Sequence, residues 1–259
     1  MKNNNKSKKK KKDLFLLLLV LSVPCHKRSL SFKPPAIKMA ESKVCARLAK
    51  LRTPFTCIVA GATGSGKTHF VLRLLRYRDA LLDPPPRRVI YSYERYQPKF
   101  DAMEGVEFVK GDDYKLRRGE NTLLIIDDQM DVKLSNLVKL FTVDSHHLGV
   151  SVMFLTQNLF EQSKEYRTVA LNAQYLFLFK SPRAARQVVT LAHQLFPSGG
   201  KSAKAFVDAY RHATQNPFSY LMVDLKPDTP QRLMVRANML PDEGEPFTGD
   251  VRLSHCYAV

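Results

Sequence analysis

Apolar residues fall along this chain in two rhythms. Short, mostly apolar runs occupy positions 56–60, 88–93, 106–110, 123–128, 150–158, 175–180, 220–224 and 233–236. Their length and their β-branched or aromatic content predict strands, and the lack of polar alternation predicts burial on both faces. Between them the period lengthens. Phe70, Leu74 and Leu75 share one face of a helix predicted over 69–78. Further helices are predicted over 132–144, over 182–196 with Pro182 in its first turn, and over 201–212. Strand and helix alternate, which predicts an α/β fold: a largely parallel β-sheet sandwiched by helices. Pro84-Pro85-Pro86 reads as a rigid spacer between the first helix and the second strand.

The chain opens outside this pattern. Residues 1–12 are a low-complexity Asn/Lys tract, followed by an apolar run over 14–23. At ~1.5 Å per residue that run is too short to cross a ~30 Å hydrocarbon core as a helix. Three readings stay open for 1–38: a signal or membrane-tethering segment, a nuclear or nucleic-acid arm, or an extension outside the working protein. The last is preferred, because Met39 stands at a sensible start for a domain spanning 39–259. Membrane contact is expected only under the first reading.

Composition then narrows the class. The 259 residues are 44% hydrophobic and 25% charged, which excludes collagen-like, disordered and disulfide-scaffold proteins. The formal charge is +17, but the first 38 residues hold eleven basic side chains against one acid. The body is thus only mildly basic, which is compatible with a polyanionic partner and decides nothing alone. The four cysteines form no CxxC pair and no zinc spacing; Cys57, inside an apolar run, reads as a small buried hydrophobe. His146 and His147 read as surface residues.

Candidate chemistry begins at Gly61-Ala62-Thr63-Gly64-Ser65-Gly66-Lys67-Thr68, which fits G-x-x-x-x-G-K-[ST] between a predicted strand and a predicted helix. Glycines there let backbone N–H groups turn inward onto phosphate, and the helix start adds free donors and a positive dipole end. Lys67 is expected to reach the β- and γ-phosphates, and Thr68 to ligate Mg²⁺. The run Leu123-Leu124-Ile125-Ile126-Asp127-Asp128 has the form of a buried strand ending in two carboxylates. In such a fold Asp127 would hold Mg²⁺ and Asp128 would accept a proton from the attacking water. A third strand ends at Thr156-Gln157-Asn158, where Gln157 is either a sensor of the γ-phosphate or an ordinary loop amide. Arg167 is either a finger that reaches a neighbouring subunit's phosphates or a solvated helix arginine. The guanine-specificity motif Asn/Thr-Lys-x-Asp is absent, which favours ATP.

These residues resemble the FtsK–HerA superfamily of P-loop ATPases, with a RecA/FtsK-like fold. The carriers are Gly61 to Thr68, Leu123 to Asp128 and Val152 to Asn158. The run from Gln157-Asn158-Leu159-Phe160 through Arg167 and Leu171-Asn172 to Tyr175 to Phe179 and Arg183 is similar to poxvirus-type DNA-packaging ATPases, especially those of Polinton (Maverick) elements. The resemblance implies an ATPase that moves double-stranded DNA into a viral-type capsid by gripping its backbone without base specificity. It further implies a homo-oligomeric ring of six, a capsid-protein partner, ATP and Mg²⁺ as cofactors, and catalytic roles for Lys67, Asp128, Gln157 and Arg167. The setting would be intracellular, in nucleus or cytoplasm. Two alternatives stay open: another P-loop NTPase (remodeller, helicase or kinase), or a nucleotide-binding remnant of an integrated viral gene.

Overall fold

The computed structural model of the chain describes residues 50–101, 103–127, 134–160, 163–198 and 200–243. The leader 1–38, Asp128, Cys25, Cys45 and Cys256 lie outside the described residues.

In chain order the elements are β1 (Leu51–Arg52), β2 (Thr56–Ala60), α1 (Lys67–Arg76), α2 (Arg78–Leu81), β3 (Leu82–Asp83), β4 (Arg88–Tyr93), β5 (Glu107–Lys110) and β6 (Thr122–Asp127). There follow α3 (Leu134–Lys139), α4 (Ser145–Leu148), β7 (Ser151–Thr156), α5 (Lys164–Leu171), β8 (Tyr175–Phe179), α6 (Ala185–Leu195), α7 (Gly200–Ala213), β9 (Tyr220–Asp224) and β10 (Val235–Arg236). The predicted strand 56–60 is β2 residue for residue, and 88–93 is β4. The helix predicted over 132–144 is broken: α3 passes into a π-turn over Leu140–Asp144 before α4. The predicted strand 150–158 stops at Thr156, which leaves Gln157 on the loop beyond it.

Eight strands form one sheet among the described residues, ordered β10-β9-β8-β2-β7-β6-β4-β5. From β8 to β5 every neighbour is parallel, whereas β9 and β10 are antiparallel additions at one edge. Strands β2, β6, β7 and β8 are buried along their whole length, as expected where helices cover both faces. This is the α/β architecture expected from the sequence, a largely parallel sheet sandwiched by helices.

Alternate strand residues feed two cores. Cys57, Val59, Ile125, Met153, Leu155 and Phe177 face α1, whose Phe70, Val71, Leu74 and Leu75 are buried against them. Phe70 stacks its ring 4.7 Å from Phe177 and 4.6 Å from Tyr220, which fixes α1 over β8 and β9. Ile58, Leu124, Ile126, Phe154 and Leu176 face the opposite way, under α3, α5, α6 and α7. The antiparallel edge is closed by an ion pair: Arg236 Nη2 donates to Asp224 Oδ2 at 2.6 Å, with both side chains at most 1% exposed. Cys57 is wholly buried and has no polar role, as its setting predicted. His146 and His147 are exposed, also as predicted. No helix among the described residues is long and apolar enough to cross a membrane.

Candidate functional site

Three carboxyl ends meet at one edge of the sheet. The register pairs Ala60 with Thr156 and Asp127 with Leu155, so β2, β7 and β6 end almost level. The loop 61–66 leaves β2 there and turns straight into α1. Gly61 N–H still donates to Thr156 O at 3.1 Å, which ties the start of the loop to β7.

Gly61 can only be glycine for reasons of space. A β-carbon on it would sit 2.5 Å from Phe179 Cβ and 2.7 Å from Ser65 Oγ. Gly66 is constrained by its backbone instead, at φ 101°, a left-handed angle that side chains resist. From Gly66 the chain enters α1 with no side-chain cap and no acid in the first turn. A helix start so arranged leaves N–H donors and the positive dipole end for an anion. Ser65 Oγ is buried in the same loop with no hydrogen-bond partner among the described residues. Lys67 is 8% exposed and donates from Nζ to Gly61 O at 2.8 Å and Ala62 O at 3.2 Å, so its ammonium is held within the loop. An unpartnered hydroxyl, a buried ammonium and an uncapped helix start make a cradle that fits a polyphosphate.

The cation position is built beside it. Thr68 Oγ1 donates to Asp127 Oδ2 at 3.3 Å, across 59 positions of sequence. One hydroxyl and one carboxylate are a hard, all-oxygen pair that suits Mg²⁺ shared with phosphate oxygens. Among the described residues no cluster of three His, Cys, Asp or Glu side chains is placed to hold a metal ion. Asp127 is 6% exposed and is gripped from β4 as well: the Tyr91 hydroxyl donates to Oδ2 at 2.5 Å. Burial first, and then the negative charge of Asp127, push the Tyr91 phenol well above its ordinary range, so it stays a donor.

Gln157 follows β7 and is exposed; with Gly61 and Phe179 it lines a small concavity beside the loop. Its turn is fastened on two sides. Thr156 Oγ1 contacts the Tyr166 hydroxyl and donates to Asn158 O at 3.1 Å. Gln187 of α6 accepts from Leu159 N–H at 3.0 Å and donates to Phe160 O at 3.4 Å.

Thus Gly61 to Thr68, Asp127 and Gln157 converge on one sheet edge. Arg167 does not join them. It is exposed on α5, on the sheet face opposite α1, and lines an apolar groove of about 590 Å³ with Leu159, Leu171, Leu191 and Leu195. Asp128, the expected base, lies outside the described residues. Tyr91 and Gln187 were not found from sequence. Tyr91 left no signal of its own: its link to Asp127 depends on the β4–β6 register, which pairs Tyr93, on the same face, with Asp127.

No family model matches this sequence, and no curated protein matches it. Among solved structures, the cytoplasmic domain of EssC is similar at 11% identity and TM-score 0.36, over 51% of this chain and 32% of that one. The N-terminal domain of zonular occludens toxin from Neisseria meningitidis is similar at 16% identity and TM-score 0.31, over 51% of this chain and 79% of that one. The Legionella pneumophila ATPase DotB is similar at 10% identity and TM-score 0.32, over 70% of this chain and 57% of that one. The chain therefore spans about a third of the EssC domain and little more than half of DotB. Likenesses this distant say nothing of activity.

Proposed function

We propose that this chain binds ATP with Mg²⁺ at the loop 61–68, hydrolyses it, and uses the cycle to drive double-stranded DNA through a homo-oligomeric ring. One observation carries the hydrolytic part: Asp127, 59 positions along the chain, meets Thr68 next to Lys67 at an uncapped helix start. Lys67 and the loop N–H groups would hold the β- and γ-phosphates. Thr68 and Asp127 would hold the cation, which when bound neutralises phosphate charge. Asp128, next along the chain, is assigned the proton from the attacking water, and Gln157 the orientation of that water.

The DNA part rests on the resemblance carried by 157–196 to FtsK–HerA packaging ATPases, and on a mildly basic body. A ring of six, a viral-type capsid as destination and a nuclear or cytoplasmic setting belong to the same proposal. The test is ATP turnover by the full chain with and without double-stranded DNA, at low and at high salt. Stimulation that fades with salt is expected, because backbone contacts weaken as salt rises. Turnover indifferent to DNA at low salt removes translocation and leaves another kind of P-loop NTPase. Lys67→Ala is expected to abolish nucleotide binding and with it all turnover.

A further inference from the structure

The turn before β9 puts a large aromatic ring where sequence and backbone chemistry both argue against one. Asn216-Pro217-Phe218-Ser219 closes with Ser219 Oγ donating to Asn216 O at 2.7 Å. Phe218 holds φ 63°, a left-handed angle that for a bulky side chain is a genuine outlier. Proline second and positive φ third is a turn that normally carries glycine in the third place. The ring is also 60% exposed, so burial does not compensate the strain. What the ring does touch is the phosphate loop. A β-carbon on Gly66 would meet Phe218 Cδ1, Cβ and Cγ at 3.0, 3.1 and 3.4 Å. The ring therefore lies against the backbone immediately before Lys67, with the rest of its surface facing solvent at the mouth of the cradle.

We infer that Phe218 is the platform on which the base of the bound nucleoside triphosphate stacks. The inference rests on the reading of 61–68 as a triphosphate site and adds the part of the ligand that reading leaves unassigned. A π-face reads another π-face and not a base edge, so the platform selects a nucleotide over bare polyphosphate without selecting adenine over guanine. The left-handed backbone is then what aims the ring, and the exposure is what a platform needs before its ligand arrives.

The full chain holds no tryptophan, which makes the test direct. Calorimetry would measure Mg-ATP, Mg-GTP and Mg-tripolyphosphate binding to wild type, Phe218→Leu and Phe218→Trp. Phe218→Leu keeps an apolar contact on Gly66 but loses the π-face. It is expected to weaken ATP and GTP alike by roughly 5- to 150-fold and to leave tripolyphosphate unchanged. Phe218→Trp is expected to retain ATP binding, with its indole fluorescence quenched by ATP and not by tripolyphosphate. Equal weakening of ATP and tripolyphosphate in Phe218→Leu would make the ring a prop of the loop and overturn the inference. Unchanged ATP affinity would overturn it as well. If wild type binds neither ATP nor tripolyphosphate, the phosphate-site reading itself fails and the platform falls with it.

Discussion

Tyr91→Phe removes one oxygen from the centre of the candidate cation site and leaves the ring in place. That ring is wholly buried, 5.1 Å from Phe100 and 5.4 Å from Phe108, so phenylalanine packs the same space. The loss is one hydrogen bond to a carboxylate that is 6% exposed and cannot recover water in its stead. Bonds to charged groups contribute about 1.5–3 kcal/mol, which in a domain of this size corresponds to about 3–12 °C in Tm. Thermal unfolding followed by circular dichroism reads that loss. Binding of a fluorescent ATP analogue across a magnesium titration reads the function. Without the Tyr91 hydroxyl, Asp127 loses one of the contacts that fix its direction, so half-saturation by magnesium should rise several-fold while binding in EDTA stays the same. An unchanged Tm would show that the hydroxyl does not hold Asp127. Tighter magnesium binding in the variant would show that it competes with the cation, and either result refutes the positioning argument.

Gly61→Ala places a methyl 2.5 Å from Phe179 Cβ, an atom fixed on β8; overpacking of about 1–3 kcal/mol and loss of ATP binding are expected in melts and titrations. Arg236→Met leaves the Asp224 carboxylate buried without its 2.6 Å partner. Urea unfolding should show a loss of about 3–5 kcal/mol, largely recovered in the double variant with Asp224→Leu. Burial raises the Glu243 carboxyl above its ordinary value, against the opposing pull of the Tyr220 hydroxyl. Ionisation there is therefore harder in the folded chain than in the unfolded one, a cost absent below the unfolded value and growing as pH rises through the folded one. Glu243→Gln should accordingly gain stability relative to wild type as pH rises above the ordinary carboxylate range, and a flat difference would refute it. Arg167→Ala subunits mixed with wild type should depress ATP turnover more than their fraction; simple dilution would make Arg167 a surface residue.

What could be read in the sequence was what a single segment carries. β2 and β4 were legible because each carries a short, mostly apolar run (Cys57 to Ala60, Val89 to Tyr91), and Lys67 and Thr68 because the loop's spacing is local. The two-residue strands β1 and β3 were not, since Leu51↔Leu82 pairing has no period to detect. The π-turn inside 140–144 was hidden too, because one displaced turn leaves helical spacing nearly intact. Tyr91, Gln187 and Phe218 act across elements. A tyrosine in an apolar strand reads as core until the neighbouring strand is known to end in Asp127. A phenylalanine after proline reads as a turn residue until its φ and its contact with Gly66 are known.

The same division explains why the site looks incomplete within one chain. Its phosphate, cation and loop-amide groups all lie at or just beyond the carboxyl ends of β2, β6 and β7, which the parallel register levels. Arg167 belongs instead to α5, which packs on the face opposite α1. The groove that Arg167 lines and the concavity that Gly61 and Gln157 line share Leu159, but Arg167 itself lines only the groove. A role for Arg167 in the site of another copy belongs to the proposed ring, and the mixed-subunit turnover decides between that role and a solvated helix arginine.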